Sequence, residues 1–218
     1  MLNAERSVLI SFVTFIAMQP DIEQLKTTYK NLPDNKLIEL ALYEAAGLRP
    51  EAIDVLKAEM RKRGFEQEIS DIVNAQLLET GSKGFEEYVQ LIRRQPCPLC
   101  GSMQQPLNAA VVGTVTSFLV FTSYHKSLTI ACPACLNRAL QTGTSITKFL
   151  GWWGLPWGII RSIQALTSNS KAFKIIDLPE PTDTLIDFIK TNAGIIESLR
   201  KNDSSIQKML KNLNKENN

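Results

Sequence analysis

Cys97-Pro98-Leu99-Cys100-Gly101 and Cys132-Pro133-Ala134-Cys135 hold every cysteine of this 218-residue chain. Each Cys-x-x-Cys turn aims two thiolates at one point, so two turns separated by 31 residues complete the ligand set of a structural four-cysteine site for one Zn2+. The proline inside each turn stiffens it, and Gly101 supplies the positive φ such turns require. With four protein ligands the ion has no open position, so it holds the fold and activates no water. Two disulfides would need an oxidising compartment, for which the chain carries no convincing signal. A redox Cys-x-x-Cys stands alone beside a βαβ unit, a pattern absent here. An iron–sulfur cluster also takes four cysteines, but the symmetry of the two turns favours zinc.

The segment between the turns, residues 107–130, is rich in Val, Thr, Phe and Leu, and residues 101–124 carry no charge. A single membrane span here would separate Cys100 from Cys132. The seven residues 125–131, fully extended, reach only about 24 Å, and their backbone would go unsatisfied in lipid. A shared metal and a span exclude each other, so the β-branched composition predicts two pairing strands that bring the turns together, with Gly113 as a bend. His125, the one histidine, falls in an expected turn beside Lys126 and reads as a surface residue.

Upstream, residues 21–95 read as short amphipathic helices with legible stops. Asp21 with Gln24 resembles a capping box, and Asp34 is placed to cap a helix ending at Gly47. Pro50 suits the first turn of a helix whose Ile53, Leu56 and Met60 share a face before the stop at Gly64. Two more helices are expected near 67–79 and 83–94. Before them Val8 to Met18 is apolar, but eleven residues are too few for a bilayer that needs about 20, so a buried helix is expected.

Charge divides the chain into three. Residues 1–87 hold ten Lys or Arg against fifteen Asp or Glu. The next 89 residues hold no Asp or Glu at all, only eight Lys or Arg, and residues 177–218 hold six basic against seven acidic groups. All three tryptophans lie in the acid-free region, within Gly151-Trp-Trp-Gly-Leu-Pro-Trp-Gly158, bracketed by Lys148 and Arg161. Pro156 should interrupt a helix there. Trp152, Trp153 and Trp157 therefore read either as core or as an interfacial wedge, since indoles favour the headgroup zone and the flanking cations favour anionic lipid. After Pro181, Thr182 or Asp183 can cap a helix whose apolar residues follow spacings of four and three from Leu185 to Leu213. Gly194 and Asn202-Asp-Ser-Ser205 weaken that seam.

The predicted fold class is α+β, mostly helical, with a small β-hairpin zinc ribbon inserted between an N-terminal helical domain and C-terminal helices. Its parts are an acidic helical domain at 1–95, a four-cysteine zinc ribbon at 96–136, a basic Trp-rich segment at 137–176 and an amphipathic helix at 182–213. The paired Cys-Pro-x-Cys turns followed by Gly-Trp-Trp-Gly-Leu-Pro-Trp-Gly resemble uncharacterised bacterial zinc-ribbon proteins over residues 97–168. That resemblance implies membrane association and no known activity. The run Leu48 to Phe65 is similar to a helical hairpin of other uncharacterised bacterial proteins, which implies packing rather than chemistry.

No P-loop, GxGxxG, HExxH or GxSxG pattern occurs, so no constellation carries an enzymatic reading. The expected function is a non-enzymatic scaffold or adaptor, cytoplasmic or at the inner face of the membrane. It would contact an anionic lipid surface or a protein through Trp152, Trp153, Trp157, Lys148 and Arg161 and self-associate through 182–213. A nucleic-acid-binding ribbon is the alternative.

Overall fold

A computed structural model of the chain describes residues 21–65, 67–119 and 121–216, apart from the side chains of residues 67 and 68. The apolar stretch Val8 to Met18 lies outside them. The chain divides into two units, Met1–Leu77 and Leu78–Asn218.

The first unit is helical: α1 (Ile22–Asn31), α2 (Asp34–Glu39), α3 (Pro50–Lys62) and α4 (Gln67–Gln76). Between α2 and α3 the helix widens to a π turn over Leu40–Glu44 and tightens over Ala45–Gly47. The irregularity is tied by Gln76, whose Nε2 donates to the Ala41 carbonyl while its Oε1 accepts from Ala46 N. Pro50 begins α3 as expected, and Gly64 ends it at φ +81°. Tyr29, Leu37, Leu56, Met60 and Val73 form the core. Asp21 occupies the N-cap position of α1 without a side-chain hydrogen bond. Asp34 lies inside α2 and pairs with Arg63 at 2.8 Å. The same guanidinium donates to the carbonyls of Leu32, Tyr29 and Lys30 at 2.7, 3.0 and 2.8 Å. Arg63 thus closes the C-terminus of α1, where the last carbonyls of a helix lack partners.

The second unit is built on one hairpin. Its strands β1 (Asn108–Phe118) and β2 (Phe121–Ala131) pair antiparallel from Asn108 with Ala131 to Phe118 with Phe121. The strands expected between the cysteine turns are therefore present, with Leu119 following β1 at φ +50°. Around them lie α5 (Lys83–Arg93), α6 (Pro133–Leu150), α7 (Trp157–Ile175), α8 (Asp183–Thr191), α9 (Ala193–Leu199) and α10 (Asp203–Glu216). The result is α+β and mostly helical. The pattern of 21–95 groups α5 with the helices before it, but α5 belongs to the second unit. Tyr88 Oη donates to Glu197 at 2.8 Å, and the Arg93 carbonyl accepts from Leu107 N at 2.9 Å.

A two-stranded hairpin has two open edges whose N–H and C=O groups need partners once buried. Here side-chain amides and hydroxyls from the helices supply partners at several points. Asn169 of α7, fully buried, accepts from Gly113 N and donates to Gly113 O, both at 2.8 Å. Asn214 of α10 does the same to Ile130 at 2.9 Å on the other edge. Thr147 of α6 accepts from Val115 N at 3.0 Å, and Thr182, the N-cap of α8, donates to Ala109 O at 2.8 Å. Gly113 does not bend the strand. The pairing runs on through it, and a Cβ there would sit 3.4 Å from Ala165, so α7 lies in contact with β1 at this point.

The single helix expected over 182–213 is three helices, broken at Asn192 and at residues 200–202. Asn192 donates its side-chain amide back to Phe188 O, and Asn202 Oδ1 accepts from Ser204 Oγ and Ser205 N. These short polar side chains compete with helical hydrogen bonds. Leu185, Ile189, Ile196, Ile206 and Leu210 of the seam are fully buried.

Candidate functional site

The open end of the hairpin, away from its connecting turn, carries the four cysteines. The first turn folds by Gly101 N donating to Cys97 O at 2.7 Å and Cys97 N donating to Ser102 O at 2.9 Å, with Gly101 at φ +75°. The second turn is the start of α6: Cys132 is its N-cap, Pro133 its first residue, and Cys135 N donates to Cys132 O at 3.0 Å. Because Asn108 pairs with Ala131, the hairpin sets the two turns side by side.

All four Sγ atoms lie within 4.8 Å of one another, and Cys100 and Cys132 are 3.7 Å apart. A tetrahedral ion with sulfur at about 2.3 Å requires sulfurs about 3.8 Å apart, so the four thiols fit one metal ion. Cys97 and Cys132 are buried and Cys100 is exposed. Burial pushes the Cys132 and Cys135 thiols up, and hydrogen bonds with neighbouring sulfurs raise Cys135 further. Burial acts the same way on Cys97, but the backbone N–H groups of Cys132, Cys100 and Leu99 outweigh it and bring this thiol down to about 7. Donors that favour a bare thiolate also relieve the charge of a metal-bound one.

The opposite end of the hairpin holds the tryptophans. Gly151, Gly154 and Gly158 all face inward. A Cβ on Gly154 would meet Thr122 Oγ1 at 2.6 Å, and one on Gly158 would meet Gly151 O and Ser117 Oγ at 2.8 Å each. Leu119 bridges Gly154, so the segment is seated on the hairpin tip. With glycine on the inner side, the indoles point outward: Trp153 is 69% exposed, Trp157 60% and Trp152 40%. Trp153 Nε1 donates to Phe149 O at 2.9 Å, which holds its ring at the surface. The helix break expected at Pro156 is present, since α7 starts at Trp157.

Sequence reasoning missed the other half of this surface. Phe118, Leu119 and Phe121 of the hairpin tip are 73%, 68% and 77% exposed, and Phe149, Leu155 and Ile163 are similarly open. The signal was available, because Phe118-Leu-Val-Phe121 stands midway between the cysteine turns, where a hairpin must turn and polar residues are usual. Lys148 and Arg161 are exposed beside this apolar tip, and Arg161 and Lys126 lie 5.8 and 5.3 Å from the Tyr124 ring centre. His125 sits within β2 opposite Thr114 rather than in a turn, because the strand runs on through it. It is exposed, as expected. Among the described residues no helix is long and apolar enough to cross a membrane.

No protein-family model, curated protein or solved structure matches the chain. The resemblance of residues 97–168 to bacterial zinc-ribbon proteins rests on the motifs alone.

Proposed function

We propose that the protein is a non-enzymatic adaptor that docks peripherally on an anionic membrane surface through its apolar tip, while zinc at the four cysteines fixes the base of the hairpin. One observation carries this reading: large apolar side chains from three separate segments, the hairpin tip, the end of α6 and the start of α7, are exposed, with Leu119 bridged to Gly154 and Trp153 bonded to Phe149, in a region with no carboxylate between Glu87 and Asp177. Single exposed apolar residues are ordinary, whereas a contiguous patch marks an interaction surface. Its aromatic makeup and flanking cations suit the interface between acyl chains and anionic headgroups. Thiolate donors favour soft ions, and two Cys-x-x-Cys turns of this geometry favour Zn2+ among them. Lys126 is the one Lys or Arg in the two strands. That argues against the alternative of a nucleic-acid-binding ribbon, which would interleave basic and aromatic side chains. The buried seam of 182–213 serves packing in this reading rather than self-association.

The test is vesicle binding. Trp153 exposes roughly 170 Å2, taking 69% of a side chain of about 250 Å2. Burying half of that in lipid is worth about 2 kcal/mol, so Trp153→Ala should weaken partition to anionic vesicles about 30-fold. Wild-type emission should shift blue on binding, and salt should weaken it. Emission and sedimentation unmoved by vesicles would overturn the membrane reading.

A further inference from the structure

Strand alternation places Thr114, Thr116, Ser123, Ser127 and Thr129 on the hairpin face turned away from α7. With α6 they line a groove of about 540 Å3. The groove begins beside Cys100 and Cys135 and extends to the Thr116 and Ser123 pair, two pairs short of Phe118 and Phe121 at the tip. Arg138 and Thr142, one helical turn apart on α6, complete its polar wall together with His125, the Thr142 hydroxyl donating to the Arg138 carbonyl at 3.0 Å. No Asp or Glu lines it, and Arg138 makes no ion pair among the described residues.

We propose that this groove binds a phosphate group. Hydroxyls and a guanidinium are the donors that phosphate oxygens accept from, and the guanidinium fork matches two of them at once. The volume lies within the range of small-molecule sites, about 300–1,000 Å3, and so admits a phosphate ester with a small polar group. A zinc tetrathiolate carries a net charge of about −2, which sets the position of the anion. Arg138 stands three residues beyond Cys135, and Thr142 lies about 6 Å further along the helix. The phosphate is therefore seated toward Thr142, Thr114 and His125, with Arg138 between it and the thiolates. Phospholipid headgroups and soluble phosphate esters both carry this group. The headgroup form of the proposal rests on the membrane reading above, and the soluble form stands without it.

Zinc-loaded full-length protein titrated with inorganic phosphate and with glycerol 3-phosphate, followed by amide NMR shifts, tests the site. Shifts should concentrate at residues 125 and 138–143. Arg138→Gln should weaken binding about tenfold or more with zinc content and far-UV circular dichroism unchanged, and Thr114→Val should weaken it less. Vesicles of phosphatidylcholine doped with phosphatidic acid separate the two sources. If Arg138→Gln also loses its preference for the doped vesicles, the occupant is a headgroup; if that preference is kept while glycerol phosphate binding is lost, it is a soluble ester. No localised shifts up to millimolar phosphate, or equal affinity in Arg138→Gln, would overturn the proposal. Failure of the membrane reading is recorded separately, by the vesicle response to Trp153→Ala.

Discussion

Asn169→Leu tests the account of how the hairpin is held. The Asn169 side chain is fully buried and makes two 2.8 Å hydrogen bonds to the backbone of Gly113 and a third, at 3.2 Å, to Thr144 Oγ1. Leucine is close to isosteric, so it fills the space and keeps water away from the strand edge. Gly113 N–H and C=O would then be buried without partners, at a cost of about 1–3 kcal/mol each. Part of that is offset by the apolar contacts of the new side chain, leaving a net loss of about 3 kcal/mol. For a unit of this size that corresponds to roughly 10 °C in Tm. All three tryptophans belong to the second unit, so their fluorescence in a urea titration follows this unit alone, with far-UV circular dichroism as the check on the whole chain. The midpoint should fall with the slope unchanged. Lys171→Ala, exposed two residues further along the same helix, should shift it by under about 0.5 kcal/mol. A loss below about 1 kcal/mol for Asn169→Leu would refute the view that the amide satisfies the open edge of β1.

Purified under reducing conditions, the protein should carry one zinc per chain, and a chelator should release it with loss of order around the hairpin; metal near zero with the fold intact would remove the claim. Burial holds the Cys132 and Cys135 thiols protonated at neutral pH before metal binds, so loading must displace at least these two protons. Apparent zinc affinity should therefore fall at least about 100-fold for each unit of acidification, and more steeply below about 7, where the Cys97 thiol also takes up its proton. A competition titration against a zinc indicator across pH reads this, and a flat profile would contradict it. Gly158→Ala would force a Cβ to within 2.8 Å of the Gly151 carbonyl oxygen, and the overpacking should cost about 1–3 kcal/mol in the same urea titration.

Much of the local structure was legible because it depends on neighbours in sequence. The stop at Gly64, the turn at Gly101, the start at Pro50, the cap at Thr182 and the helix break at Pro156 each follow from a backbone restriction or a side chain that reaches its own turn. The four-cysteine cluster was legible for a related reason: two short turns must meet if paired strands join them, and the composition of 107–130 dictates strands. The seam from Leu185 was correctly apolar, but it is not one helix, since Asn192 and Asn202 bond their side chains to groups three or four residues away and break it there.

The sequence by itself determined where the thiols converge, where helices start and stop, and that one region carries no acid. The tertiary structure alone decided which side of Gly151 to Gly158 faces in. Whether the indoles are buried or exposed depends on Ser117 and Thr122, more than 25 positions upstream, filling the space beside Gly154 and Gly158 where a Cβ would otherwise sit. It also decided that Asn169 and Asn214 are interior residues, because an amide is tolerated in a core only when a particular strand edge lies within 3 Å of it. Burial is a property of what packs on a residue, and for Gly154, Asn169 and Asn214 the deciding partners, Ser117 and Thr122, Gly113, and Ile130, come from distant parts of the chain.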